Sequence, residues 1–103
     1  MIARMKIKVD VHFTPVQIDE MHLKDRNVVV IDALRASTTV AMALSNGAKE
    51  VIPVGTIESA LKIARGLAGD VTLRAGERLG KMIEGFDLGN SPLEYTEEVV
   101  KGK

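Results

Sequence analysis

Two stretches carry residues whose types and spacing could do chemistry. The first is Asp32-Ala33-Leu34-Arg35-Ala36-Ser37-Thr38-Thr39, a carboxylate, a guanidinium and three hydroxyls within eight positions. If a helix starts among these hydroxyls, its unpaired backbone N–H groups and positive dipole end suit a phosphate. Arg35 can add a bidentate contact to the same anion. Asp32 would repel a phosphate directly, but it suits a divalent cation that touches one. Alone, this stretch has a plain structural reading, with Ser37 and Thr38 as helix caps and Asp32 paired with Arg35. That reading stands slightly ahead until the second stretch is counted. There Glu77-Arg78 is followed by Asp87, Asn90 and Ser91, again a carboxylate, an arginine and a helix start. Two such stretches at one sheet edge describe a Mg²⁺–phosphate site better than two accidents.

Familiar alternatives fail on inspection. Residues 75–82 approach a P-loop, but Ala75 replaces its first glycine and Met82 its Ser/Thr. No Gly-x-Gly-x-x-Gly is present. The aspartyl-phosphatase pattern wants a second Asp where Leu34 stands. His12 and His22 lack metal-ligand spacing and read as exposed or capping groups. Ser37 lacks a nucleophile elbow.

The elements that must position these residues follow from periodicity. Ile7, Val9, Val11 and Phe13 alternate with Lys6, Lys8, Asp10 and His12, which predicts a half-wet strand over 6–13. A short helix is expected around Gln17 to Leu23. The unbroken run Val28-Val29-Val30-Ile31 predicts a strand buried on both faces, with Asp32 at its carboxyl end. A buried helix capped by Ser37 or Thr38 follows, closed by Asn46-Gly47. Glu50 to Val54 reads as a short strand interrupted by Pro53. Thr56 caps a second helix, in which Ile57, Ala60, Leu61, Ala64 and Leu67 recur at helical spacing. Val71 to Ala75 is another strand candidate. Ser91-Pro92-Leu93-Glu94 opens a last helix running to about Val100. Strand, helix, strand, helix, strand predicts an α/β fold: a three-layer-type, mostly parallel sheet with a βαβαβ core.

Length and composition bound this reading. One domain fits 103 residues, and 46% hydrophobic content is too high for a disordered chain. Zero net charge and 3% aromatics argue against a nucleic-acid platform. The absence of cysteine removes disulfides, thiolate metal sites and a Cys nucleophile together. No apolar run approaches the ~18 residues of a membrane span, and Met1 to Lys8 lacks a signal-peptide pattern. The expectation is a cytoplasmic protein with no nucleic-acid or membrane partner.

Val30 to Thr39, Asn46-Gly47-Ala48, Gly76-Glu77-Arg78 and Glu84-Gly85-Phe86-Asp87-Leu88-Gly89-Asn90-Ser91-Pro92 together resemble the 2-phosphosulfolactate phosphatases. The resemblance runs from roughly Val9 to the end of the chain. It implies a Mg²⁺-dependent hydrolysis of (2R)-O-phospho-3-sulfolactate to 3-sulfolactate and phosphate, a step of coenzyme M biosynthesis. It also implies that residues 1–103 form one α/β domain equivalent to the N-terminal half of a larger α/β fold. On this reading Asp32, Glu77 and Asp87 coordinate Mg²⁺. Arg35, Arg78, Ser37, Thr38, Asn90 and Ser91 bind the phosphoryl group of a small anionic ester. Asp32, Arg35, Glu77 and Asp87 carry the catalysis, with metal-activated water or Asp32 itself as nucleophile. The alternative is a non-catalytic half-domain that binds an anion or self-assembles. An open sheet edge and an uncovered apolar face predict a homo-oligomer.

Overall fold

The computed structural model describes residues 3–103. It divides into two units, one reaching to Val30 and one from Ile31 to Lys103. The first holds a 3₁₀ turn, Pro15–Gln17, and a single-turn helix α1, Glu20–Leu23. Thr14 and Asp19 start these turns, each side chain accepting a backbone N–H two residues on. His12 and His22 are exposed.

The second unit contains α2 (Ala36–Ser45), α3 (Ile57–Arg65), β1 (Glu77–Arg78), β2 (Lys81–Met82), a 3₁₀ turn Pro92–Glu94, and α4 (Glu97–Val100). Both longer helices form where expected. Thr56 caps α3, its hydroxyl accepting the Ser59 N–H at 3.1 Å. Gly47 at φ +95° closes α2. The cap of α2 differs from expectation: Arg35, not Ser37 or Thr38, occupies the N-cap position, and the helix is under way by Ala36. Its burial differs too. Thr39 and Ala43 are buried, while Val40, Met42 and Leu44 remain partly exposed.

The expected parallel βαβαβ sheet is not formed among the described residues. The paired strands are β1 and β2, antiparallel, with Glu77 opposite Met82 and Arg78 opposite Lys81. Leu79 and Gly80, both at positive φ, make the two-residue turn between them. A parallel relation survives as a single bridge between Ala75 and Leu88. Residues 6–13, 28–31, 50–54 and 71–74 are not strands, and Ala75 makes only the isolated bridge. Val29, Val30 and Ile31 are 81%, 78% and 89% exposed, where burial on both faces was expected. The physical reason is that an apolar run specifies side-chain burial but not a backbone partner. A strand needs neighbouring N–H and C=O groups, and among the described residues no backbone hydrogen bond reaches 28–31 or 50–54.

The last expected helix is also split. Pro92–Glu94 turns as 3₁₀, and α4 restarts after Thr96. This segment packs on the C-terminal half of α2. Ala43, Leu88, Tyr95 and Val100 form the core, with Ala48, Leu73 and Val99 against it. The Gly102 N–H donates to Gly47 O at 2.8 Å and the Lys49 N–H to Lys103 O at 2.7 Å, fixing the last residues beside the end of α2. Beside this core lies an open groove of about 360 Å³, lined by Val40, Ile52, Ile63, Leu67 and Val71 among others. No helix among the described residues is long and apolar enough to cross a membrane.

Candidate functional site

The site begins at the entry to α2. Helix periodicity places Thr39 on the same inward face as Ala43, four positions on. The Thr39 hydroxyl lies 2.8 Å from Asn90 O and 3.0 Å from Arg35 O, and its one proton is shared between these carbonyls. The helix start is thereby clipped to a loop 51 residues later in sequence. Arg35 makes the second link. Its guanidinium donates to one carboxylate oxygen of Glu77, forming an ion pair with it. The other Glu77 oxygen accepts from the Asn90 side-chain amide at 3.2 Å. Arg35, Glu77, Asn90 and Thr39 therefore close a polar ring, each hydrogen-bonded to the next. The two stretches that carry the chemistry-bearing residues meet in it.

The ring rests on a second arrangement behind it. The Glu94 carboxylate accepts the Gly89 N–H at 3.0 Å and the Ser91 N–H at 3.1 Å, bending residues 89–91 around it. The Tyr95 hydroxyl donates to Gly89 O at 2.6 Å, and the Asn46 amide to Tyr95 O at 2.6 Å. Burial raises the Tyr95 pKa above 10.0, helped by the negative charges of Glu94 and Glu77. Tyr95 is therefore a neutral donor that fixes the loop carrying Asn90.

The remaining expected site residues are placed as follows. Asp32 is half-buried, three residues before Arg35. The Asp32–Arg35 pair of the plain reading is not formed, because Arg35 turns to Glu77. Ser37 is half-buried and Thr38 exposed in the first turn of α2. Arg78 is exposed and donates to Glu77 O at 2.9 Å. Asp87 lies with Arg74, accepting its backbone N–H at 2.8 Å and its side-chain Nε at 3.3 Å. The Arg74 backbone donor, ahead of the guanidinium, holds the Asp87 carboxyl below 3.8. Among the described residues no three acidic or imidazole side chains gather at metal-binding range. Asp32 and Glu77 do supply hard carboxylate oxygens of the kind Mg²⁺ takes.

Sequence reasoning did not single out Thr39. It sits third in a run of three hydroxyl residues, and only the helix phase tells which one turns inward. Its four-residue spacing to Ala43 is the signal that marks it.

The 2-phosphosulpholactate phosphatase family model matches residues 12–103. A probable 2-phosphosulfolactate phosphatase of Caldanaerobacter subterraneus subsp. tengcongensis is 56% identical over 86 residues, covering 84% of this chain and 36% of that protein. One from Clostridium acetobutylicum is 50% identical over 97 residues, covering 94% of this chain and 41% of its own length. One from Clostridium botulinum is 46% identical over 97 residues with the same two coverages. The chain thus spans about two fifths of the length of these relatives.

Proposed function

The chain belongs to the 2-phosphosulpholactate phosphatase family, and from that premise we propose that it serves the hydrolysis of a small phosphorylated 2-hydroxy acid, with (2R)-O-phospho-3-sulfolactate as the reference substrate. The observation that carries this reading is the polar ring, which joins the Arg35 helix start to the Glu77–Asn90 loop. Arg35, Arg78 and the free N–H groups at Ser37 and Thr38 would take the phosphoryl oxygens, favouring charge that grows in the transition state. Asn90 acts through Glu77, whose carboxylate it holds. Ser91 serves the loop, since its N–H is already bound by Glu94. Water, or the Asp32 carboxylate in a two-step variant, attacks phosphorus. The P–O bond to the hydroxy acid breaks, and the departing alkoxide takes up a proton.

Magnesium belongs to the same proposal. Asp32 and Glu77 would hold it, while Asp87 is committed to Arg74. Bound there, the cation would polarise the phosphoryl group and offset its charge. The place in coenzyme M biosynthesis stands or falls with the substrate.

A second reading is favoured by two observations. The apolar groove and the exposed Val28–Ile31 run offer surface for self-association, so the chain would bind an anion and assemble without turning it over. One assay separates the two: phosphate release from phosphosulfolactate and phospholactate, with and without Mg²⁺, beside size-exclusion chromatography at several concentrations. Mg²⁺-dependent release that falls roughly 10- to 100-fold in Arg35→Gln, the loss of a charged hydrogen bond of about 1.5–3 kcal/mol, supports hydrolysis. Phosphate binding with concentration-dependent assembly and no release supports the second reading. Neither release nor binding overturns both.

A further inference from the structure

Three carboxylates lie within residues 77–94 with their partners defined, and those partners differ in kind. Glu94 accepts two backbone N–H groups, from Gly89 and Ser91. Asp87 accepts the Arg74 backbone N–H as well as its side chain. Both therefore hold the chain in its path and cannot let go without freeing main-chain donors. Among the described residues the Glu77 carboxylate is bonded to side chains alone, the Arg35 guanidinium and the Asn90 amide. It can leave Arg35 without disturbing any backbone hydrogen bond.

The geometry also delivers this carboxylate to Arg35 rather than leaving it to chance. Asn90 holds one Glu77 oxygen at 3.2 Å, and the Asn90 carbonyl is itself fixed by the buried Thr39 hydroxyl at 2.8 Å. The Arg35 and Glu77 side chains are 40% and 24% exposed, so an anion from solvent can reach the pair without unfolding it. A carboxylate and a phosphoryl group compete for the same donors on a guanidinium.

We propose that Glu77 is a built-in occupant of the anion position on Arg35, a carboxylate that an incoming phosphate must displace and that thereby sets the affinity of the site. The proposal rests on the reading of Arg35 as a phosphoryl-binding group. Its consequence is opposite in sign to that of an ordinary binding residue, because removing the Glu77 charge tightens anion binding. An internal occupant lowers apparent affinity by the fraction of time it holds the site. For a partly exposed pair that factor is modest, and loss of like-charge repulsion adds to it. Together they give an expected gain of about three- to tenfold.

The test is a titration of the whole chain with inorganic phosphate at constant ionic strength, without divalent cation, followed by backbone amide resonances. Leaving out the cation keeps any role of Glu77 toward a metal from contributing. The variants are Glu77→Gln, which keeps the side chain's size and an acceptor for Asn90, Arg35→Gln, and the double variant. Amide spectra without phosphate confirm that each is folded. Tighter phosphate binding in Glu77→Gln, about three- to tenfold, with the gain abolished when Arg35→Gln is added, supports the proposal. Equal or weaker binding in Glu77→Gln, with binding still lost in Arg35→Gln, overturns the occupant while leaving the phosphate site standing. No phosphate-dependent shift in any variant overturns the phosphate-site reading itself, and the occupant with it.

Discussion

Replacing Thr39 by valine tests whether one buried hydroxyl joins the helix start to the loop. Thr39 is 4% exposed, and valine keeps its shape and β-branch. The two carbonyls it faces do not suffer equally. Arg35 O also accepts the Thr39 N–H at 3.0 Å and stays satisfied. Asn90 O loses its protein donor, which lay at 2.8 Å. Leaving a buried acceptor unpaired costs about 1–3 kcal/mol. The pair is only partly buried, so water relieves some of that, and the expected loss is about 1–2 kcal/mol. For a domain near this size, each kcal/mol lowers Tm by about 4–8 °C. Thr38→Val is the control, since Thr38 is exposed on the same helix and carries the same change in propensity. Thermal and urea unfolding of both variants, with the Asn90 side-chain amide resonances as a local probe, make the comparison. If Thr39→Val lies within about 0.5 kcal/mol of Thr38→Val and the Asn90 resonances do not move, the clip has no energetic content.

Two further outcomes follow from the same loop. A Cβ at Gly89 would stand 2.9 Å from one Glu94 carboxylate oxygen and 3.3 Å from the other, so Gly89→Ala must push Glu94 off the Gly89 and Ser91 N–H groups. Losing that cap costs about 0.5–2 kcal/mol, against about 0.4–1 kcal/mol regained from a stiffer unfolded chain. The penalty should vanish when Glu94 is already alanine, and strict additivity in that double-mutant cycle would contradict the contact. Asp87 has a folded pKa depressed below 3.8, first by the Arg74 backbone donor. Its stabilisation is therefore fully present above 3.8 and lost as pH falls through the folded value. The stability gap between the wild type and Asp87→Asn should hold steady down to 3.8 and close below it. A gap unchanged in strong acid, read from melts across the pH range, would count against this.

What could be read in the sequence was whatever is settled within a few residues. Thr56, Asn46-Gly47 and Ser91-Pro92-Leu93-Glu94 mark element ends because a cap and its partner lie within one turn. The Asp32–Thr39 and Glu77–Ser91 stretches were expected to converge at the edge of a parallel sheet; Arg35 and Thr39 do meet Glu77 and Asn90, but through side-chain links and without that sheet. Three features were not legible. Arg35 as N-cap has no side-chain signature. The turn at Leu79-Gly80 puts a leucine at φ +52°, where asparagine or glycine would have announced a hairpin. The partner of Arg35 depends on a contact across 42 residues, and Asp32, three residues before it, was the nearer candidate on spacing alone.

The strands failed for a different reason. A helix carries its own donors and acceptors, so α2 and α3 form wherever capping and periodicity permit. A strand must borrow them. The Val28–Ile31 run has the residues of a buried strand and remains outside any ladder, with its side chains in solvent. The candidate site does not share that dependence. Its links are the Thr39 hydroxyl, the Asn90 amide and the Arg35–Glu77 pair, braced by Glu94 on two backbone N–H groups and by Tyr95 on Gly89 O. None of these is a sheet hydrogen bond. The polar ring can therefore stand while the apolar runs go unpaired, and variants of the ring test the chemistry separately from strand pairing.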